Sequence, residues 1–323
     1  MASCSGDGSP LVSVVIPTYN APALLLETLE TVAAQDFADY EIIIIDDGST
    51  DETLSRLQPL VDSASGRIIV VSQENRGIGA ARNRGISKAR GKYVALLDHD
   101  DLWMPGKLGA QVAYLESHPE CIACSVPWSI STNAQHCMFS LSACDSNGII
   151  HDPMALFATG ENPLITSSLM FRRESAVGLQ YETERSCIED VPFQLGLFSR
   201  GQLGIAGTET AMIYREHSGG ASRQAAFFHN GVIMLRRLTR QGRFKELMVR
   251  RRQSLLAYLA YLGRQAIYHD ITAGKRTAAA SLYLREIPHQ LRLGRVRFLA
   301  IVPLLIALPT NLVRRRWNHY STR

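Results

Sequence analysis

Short apolar runs rich in valine and isoleucine recur through the first hundred residues: LVSVVIP (11–17), YEIIIID (40–46), RIIVVS (67–72) and KYVALLD (92–98). Runs of that length without polar alternation describe strands buried on both faces, as in a parallel sheet. Between them the apolar positions fall at helical spacing, over 21–34, 51–61 and 77–89. Strands alternating with helices imply βαβ units, hence an α/β fold with a doubly wound, mostly parallel sheet and helices on both faces. In such sheets ligands bind beyond the carboxyl ends of the strands. Three of those ends carry chemistry: Pro17-Thr18-Tyr19-Asn20, Asp46-Asp47-Gly48-Ser49 and Asp98-His99-Asp100-Asp101.

The pattern then changes. A helix is expected over 104–118, and 121–214 mixes short runs with many turn residues. Near its end, SCIEDVPFQLGLFSRG presents Glu189 and Asp190 on a loop before a helix. Beyond residue 224 the chain reads as helical and basic, so the expected division is an α/β domain at 1–224 and a basic helical region at 225–323. Within the first, the regular alternation of strand and helix covers 11–118 and the mixed pattern 119–224. An apolar share of 46% and a charged share of 20% fit a soluble chain able to bury a core.

The strand ends suggest cation chemistry. Asp98 and Asp100 are one residue apart, so on extended backbone they share a face. Hard cations such as Mg²⁺ and Mn²⁺ take carboxylate oxygens and fill their remaining positions from phosphate and water. The competing reading is an acidic turn in which Asp101 caps a helix starting near Trp103. Similarly, Ser49 or Asp51 can cap the helix after the second strand, which leaves Asp46 and Asp47 unexplained. A carboxylate at that position commonly holds a ribose hydroxyl or a base edge. Arg82 follows a flexible Asn-Arg-Gly and can face the same crevice, whereas Arg84 reads as a solvated helix face. No glycine-rich phosphate loop follows the first strand, which argues against a dinucleotide dehydrogenase or a P-loop NTPase. The same lack weighs against a nucleotidyltransferase.

Taken in order, VSVVIPTYN, EIIIIDDGSTDET, ENRGIGAARNRGI, YVALLDHDD and IEDVPF resemble the family 2 glycosyltransferases of GT-A fold, over roughly 11–220. The resemblance implies an inverting enzyme that uses a nucleotide-sugar donor, expected to be a UDP-sugar, with Mn²⁺ or Mg²⁺. It implies donor contacts from Pro17, Thr18, Tyr19, Asp47, Arg82 and Asp98, and a DxD motif of Asp98 and Asp100 in which Asp100 is the more direct metal ligand. Asp190 would be the general base beside Glu189, each carboxylate raising the other's pKa, and His217 would belong to a loop closing on metal or diphosphate. His99 stands where small residues are usual and reads as a hydrogen-bonded histidine rather than a ligand. The acceptor would be a glycan or a lipid-linked glycan in surface polysaccharide assembly. The rival reading is a non-catalytic nucleotide-sugar-binding or membrane-scaffold protein on the same fold, against which the intact Arg82, Asp98, Asp100 and Asp190 set argues.

Charge adds one further expectation. Met1–Leu235 carries 15 Lys and Arg against 27 Asp and Glu, whereas Arg236–Arg323 carries 19 against 3. Such polarity directs the second part toward something anionic. Arginines without interleaved aromatics or a binding motif exclude nucleic acid in favour of a membrane surface. Phe298–Val313 is apolar but interrupted by Pro303, Pro309 and Asn311, and Arg314-Arg315-Arg316-Trp317 follows. That makes an interfacial anchor a better expectation than a span, with a helical cap or an oligomer contact as the competing reading. Six cysteines in no scaffold spacing, after a polar start without a secretory pattern, point to a cytoplasmic protein attached at the inner face of the membrane. Cys121 and Cys124 form an isolated CxxC and read as buried small residues rather than a zinc or redox pair.

Overall fold

The computed structural model describes residues 8–131, 144–159, 164–184, 188–216 and 225–313. The chain divides into two compact units. The first comprises Met1–His151, Asn162–Arg185 and Glu189–Glu216; the second comprises Asp152–Glu161, Ser186–Ile188 and His217–Arg323.

In the first unit the apolar runs become strands β1 (Val12–Thr18), β2 (Tyr40–Asp46), β3 (Ile68–Ser72) and β4 (Tyr93–Leu96). Helices α1 (Pro22–Ala33), α2 (Thr53–Ser63) and α3 (Ile78–Lys88) connect them. All seven residues of β1 and of β2 are buried, which is why neither shows polar alternation. After β4 come β5 (Leu102–Trp103), α4 (Lys107–Ser117), β6 (Cys121–Ser125), β7 (Trp128–Ile130) and β8 (Ile149–Ile150). The helix expected from 104 begins at Lys107, because residues 102–103 are taken up by β5. Strands β9 (Met170–Arg172), β10 (Gln202–Ile205) and β11 (Met212–Tyr214) and helix α6 (Asp190–Phe198) complete the unit.

Eight strands form one sheet in the order β3-β2-β1-β4-β9-β6-β10-β8, and β5-β11-β7 form a second. The β3-β2-β1-β4 half is parallel throughout. Strand β9 runs antiparallel between β4 and β6, and β8 runs antiparallel at the edge. Parallel register brings the carboxyl ends level: Thr18 pairs with Asp46, and Asp46 with Ser72. The polar strand ends therefore share one rim. Cys121 and Cys124 lie buried in β6, where loss of solvent pushes both thiols up, to about 11 and about 12.

The second unit is helical: α5 (Pro153–Phe157), α7 (Ala225–Arg240), α8 (Lys245–Arg250), α9 (Arg252–Thr272), α10 (Arg276–Arg292) and α11 (Arg297–Ala307). Helix α9 is its axis, packed by α5, α7, α8 and α10. A buried bidentate ion pair between Arg236 and Glu286 ties α7 to α10, with Nη2 2.7 Å from Oε2. Among the described residues no helix is long and apolar enough to cross a membrane.

Candidate active site

Three segments far apart in sequence meet at one guanidinium. Arg82, on the second turn of α3, is 3% exposed and donates to Asp98 Oδ1 at 2.7 Å and to Glu189 Oε1 at 2.6 Å. The Tyr181 ring lies against its other side, 5.2 Å from the guanidinium carbon. The two carboxylates hold Arg82 charged against the opposing pull of its own burial. Its Nε and the Tyr181 hydroxyl are buried without a hydrogen-bond partner among the described residues. Unsatisfied buried polar atoms are costly, so a site that keeps them is shaped for more than packing.

Beside this pair lies the second acidic group. Glu189 immediately precedes α6 and is buried; Asp190 begins the helix and retains partial exposure. Burial pushes Glu189 up to about 7, with Arg82 pulling it back and Asp190 adding a further upward push. Asp190 is also raised, first by burial, and Arg82 again opposes the rise. Mutual repulsion was the expected cause, and it proves secondary to desolvation. Glu189 is committed to Arg82, whereas the contact from Gln194 to Asp190 Oδ2 is long, at 3.5 Å.

The turn after β4 is held by its neighbours. Asp98 N–H donates to the Ser167 hydroxyl at 3.0 Å, and that hydroxyl donates to Asp101 Oδ2. Asp101 is not a helix cap, which removes that competing reading of the acidic turn: the next helix starts at Lys107 with Gly106 before it and no side-chain cap. It is instead buried, accepting from Ser167 and from the Arg215 backbone, and burial raises its pKa well above the carboxylate range. The Arg215 side chain donates to the Asp100 carbonyl, to Glu27 and to the Leu24 carbonyl, pinning the acidic turn to α1. His99 Nδ1 lies 3.2 Å from the Pro17 carbonyl, the hydrogen-bonded role expected of it.

The β1 and β2 ends of the rim are equally specific. Asp47 is buried, and its two oxygens accept from Gln73, from Arg76 N–H and from Gly77 N–H at 2.7, 2.9 and 2.8 Å. It thereby fixes the entry to α3 and so the placement of Arg82. Asp46 accepts from Ser49 N–H, and Asp51 accepts from Thr53 N–H in a tight turn just before α2, whose N-cap residue is Glu52 and has no side-chain cap, so Asp51 is not the cap. Ser49 does not cap it either; its hydroxyl accepts from Asn20 N–H. Pro17 and Thr18 are buried at the end of β1, with the Thr18 hydroxyl unpaired among the described residues, and Tyr19 is 44% exposed. Arg84 is exposed. His217 lies outside the described residues. The residues missed from sequence are Ser167, Tyr181 and Arg215. Ser167 sits in PLITSSLMFRRE, a stretch without a motif, and Arg215 was detectable only as a neighbour of His217.

Two half-buried carboxylates on one turn make an oxygen donor set suited to a hard divalent cation. Among the described residues no three His, Cys, Asp or Glu converge as a cage. A cation held by Asp98 and Asp100 would therefore have to take its other ligands from outside the described residues.

Comparison with known proteins gives the family and the fold. Residues 13–177 match the family described as Glycosyl transferase family 2. The glycosyltransferase RP339 of Rickettsia prowazekii is 39% identical over 107 residues, 33% of this chain and 32% of that protein. TuaG of Bacillus subtilis, whose name assigns it to teichuronic acid biosynthesis, is 41% identical over 106 residues, 33% of this chain and 42% of its own. The match thus spans less than half the length of either relative. Among solved structures, S. aureus TarS 1–349 in complex with UDP-GlcNAc superposes with a TM-score of 0.66 at 16% identity, covering 95% of this chain and 91% of that one. Mannosyltransferase PcManGT from Pyrobaculum calidifontis, in complex with GDP-Man and Mn²⁺, gives 0.60 at 19% identity, covering 96% and 88%. At those identities the likeness is one of fold, and that fold is GT-A. With the family matched over half its length and the GT-A sheet beneath its acidic rim, this chain belongs to the family 2 glycosyltransferases.

Proposed function

We propose that this chain is an inverting, metal-dependent glycosyltransferase that moves a sugar from a nucleotide donor, a UDP-sugar, to a hydroxyl of a glycan or lipid-linked acceptor. The observation that carries the proposal is the Arg82 bridge between Asp98 and Glu189. It brings the carboxylates suited to a cation and diphosphate next to the carboxylates suited to proton removal. The TarS complex with UDP-GlcNAc and the PcManGT complex with GDP-Man and Mn²⁺ support a nucleotide sugar and a divalent metal.

Asp98 and Asp100 would hold Mn²⁺ or Mg²⁺, which supplies Lewis-acid stabilisation of the departing diphosphate. Thr18 and Asp47 line the nucleoside end, with Tyr19 exposed beside them and His217 proposed for the closing loop. Asp190 takes the acceptor proton. Glu189 is less suited, because Arg82 already occupies Oε1. Burial that raises Asp190 improves its match to a hydroxyl proton near neutral pH. A single base on one side of the donor carbon and a leaving diphosphate on the other describe inversion. The basic helical region is proposed to hold the enzyme at the anionic cytoplasmic face of the cell membrane, in surface glycan or glycolipid assembly.

The test is a panel of nucleotide sugars measured by thermal shift with and without Mn²⁺. A donor that raises the melting temperature only with metal supports the reading. Asp100→Ala should lose that shift while keeping the parent melting curve, since removing one of several clustered carboxylates relieves repulsion. Metal-dependent binding retained by Asp100→Ala would remove the clamp from the proposal.

A further inference from the structure

Helix α11 reads RFLAIVPLLIA, with no polar residue after Arg297. A helix apolar all round is expected to be covered on every side. Among the described residues one side only is packed: Phe298, Val302 and Leu305 are buried. The rotation of the helix about its axis is fixed. The Tyr283 ring meets Phe298 at 5.1 Å, and the Tyr283 hydroxyl donates to the Leu299 carbonyl at 3.0 Å. Arg276 closes the other end, donating to the carbonyls of Ile306 and Leu308. The outward side therefore consists of Leu299, Ala300, Pro303, Leu304 and Ala307, with Leu304 65% exposed. Single exposed leucines are ordinary; five outward apolar positions on one short helix are a surface with a purpose.

We propose that this outward face of α11 docks on an anionic lipid bilayer, lying in the plane of its interface. The inference rests on the membrane-contact reading above and names the surface that makes the contact. Eleven residues give a helix about 16 Å long, roughly half of what the hydrocarbon core requires, so the helix lies on the bilayer rather than across it. Charge selects lipid over a second copy of the chain. Arg292 and Arg297 are exposed at the head of the helix, in a region with 19 basic and 3 acidic residues. Pairing two such faces sets like charge against like. An anionic leaflet complements both the apolar face and its arginines.

The full chain is mixed with vesicles of phosphatidylcholine, with and without phosphatidylglycerol, and bound protein is measured by flotation at low and high salt. The parent should float with anionic vesicles, and high salt should weaken the binding only in part, because apolar insertion is not screened. Leu299→Ser with Leu304→Ser should lower partition by about tenfold or more while the chain stays folded by circular dichroism, Leu304 being 65% and Leu299 36% exposed. Arg292→Gln with Arg297→Gln should weaken binding at low salt and flatten its salt dependence. Nucleotide-sugar binding in solution, unaffected in every variant, reads the transferase assignment separately. If the serine variant floats like the parent, the membrane contact stands and this face is wrong. A parent that does not bind anionic vesicles at low salt overturns both. Loss of a concentration-dependent dimer in the serine variant, with no effect of lipid, assigns the face to a second copy and overturns the proposal.

Discussion

Lys107→Met should stabilise this protein at neutral pH. Lys107 is fully buried at the start of α4; its ammonium lies 3.8 Å from the centre of the Trp103 ring and donates to Gln111 Oε1 at 2.6 Å. Without water to solvate the charge, burial pulls the amine down from 10.5 to about 7. In the unfolded chain it is protonated up to 10.5, so between about 7 and 10.5 the unfolded state binds more protons, and stability rises with pH across that window. Linkage over the window gives a penalty of about 4 kcal/mol at pH 7 that falls to about 2 kcal/mol at pH 9. Methionine removes the penalty, but it also removes the hydrogen bond and leaves the buried Gln111 Oε1 without that donor, a loss of about 2 kcal/mol. The net expectation is a gain of about 2 kcal/mol at pH 7 and about none at pH 9. Urea denaturation of parent and variant at both pH values measures it, and taking the difference cancels every other titrating group. A variant less stable than its parent by the same amount at pH 7 and pH 9 would refute the reasoning. It would mean that the Trp103 face and Gln111 keep Lys107 charged in the folded state.

Other consequences concern the site itself. Asp190→Asn should keep donor affinity and lose transfer by about a hundredfold or more, with Glu189→Gln milder; steady-state kinetics in the opposite order would make Glu189 the base. Because burial raises Asp190, kcat should begin to fall on the acid side at a higher pH than an ordinary carboxylate predicts; an acid limb at the ordinary carboxylate position would contradict the raised value. Arg82→Met strands Asp98 and Glu189 beside a buried apolar chain and should cost about 3–5 kcal/mol by denaturation, with weaker donor binding. Ser167→Ala frees the Asp98 N–H and the Asp101 carboxyl together. It should cost about 1–3 kcal/mol and loosen metal-dependent donor binding more than Ser168→Ala does.

Much of this was legible in the chain. Runs of valine and isoleucine this short, bounded by turn residues, read as strands covered on both faces, so the α/β class and the polar rim at Thr18, Asp47 and Asp98 follow from local pattern. Helix starts were less exact, since the segment after Asp101 could enter a helix or, as it does, pair first as β5 with β11 across more than a hundred residues. The partners of the charges were not legible at all. Arg82 meets Glu189 across 107 positions, Ser167 meets Asp101 across 66, and the Arg215 backbone meets the same carboxylate across 114. Sequence periodicity reports which face of an element is buried, because burial acts residue by residue along a strand or helix. It carries no term for which distant side chain closes on a buried charge. That choice is made when the sheet order β1-β4-β9 draws α3, the turn after β4 and the start of α6 around one guanidinium.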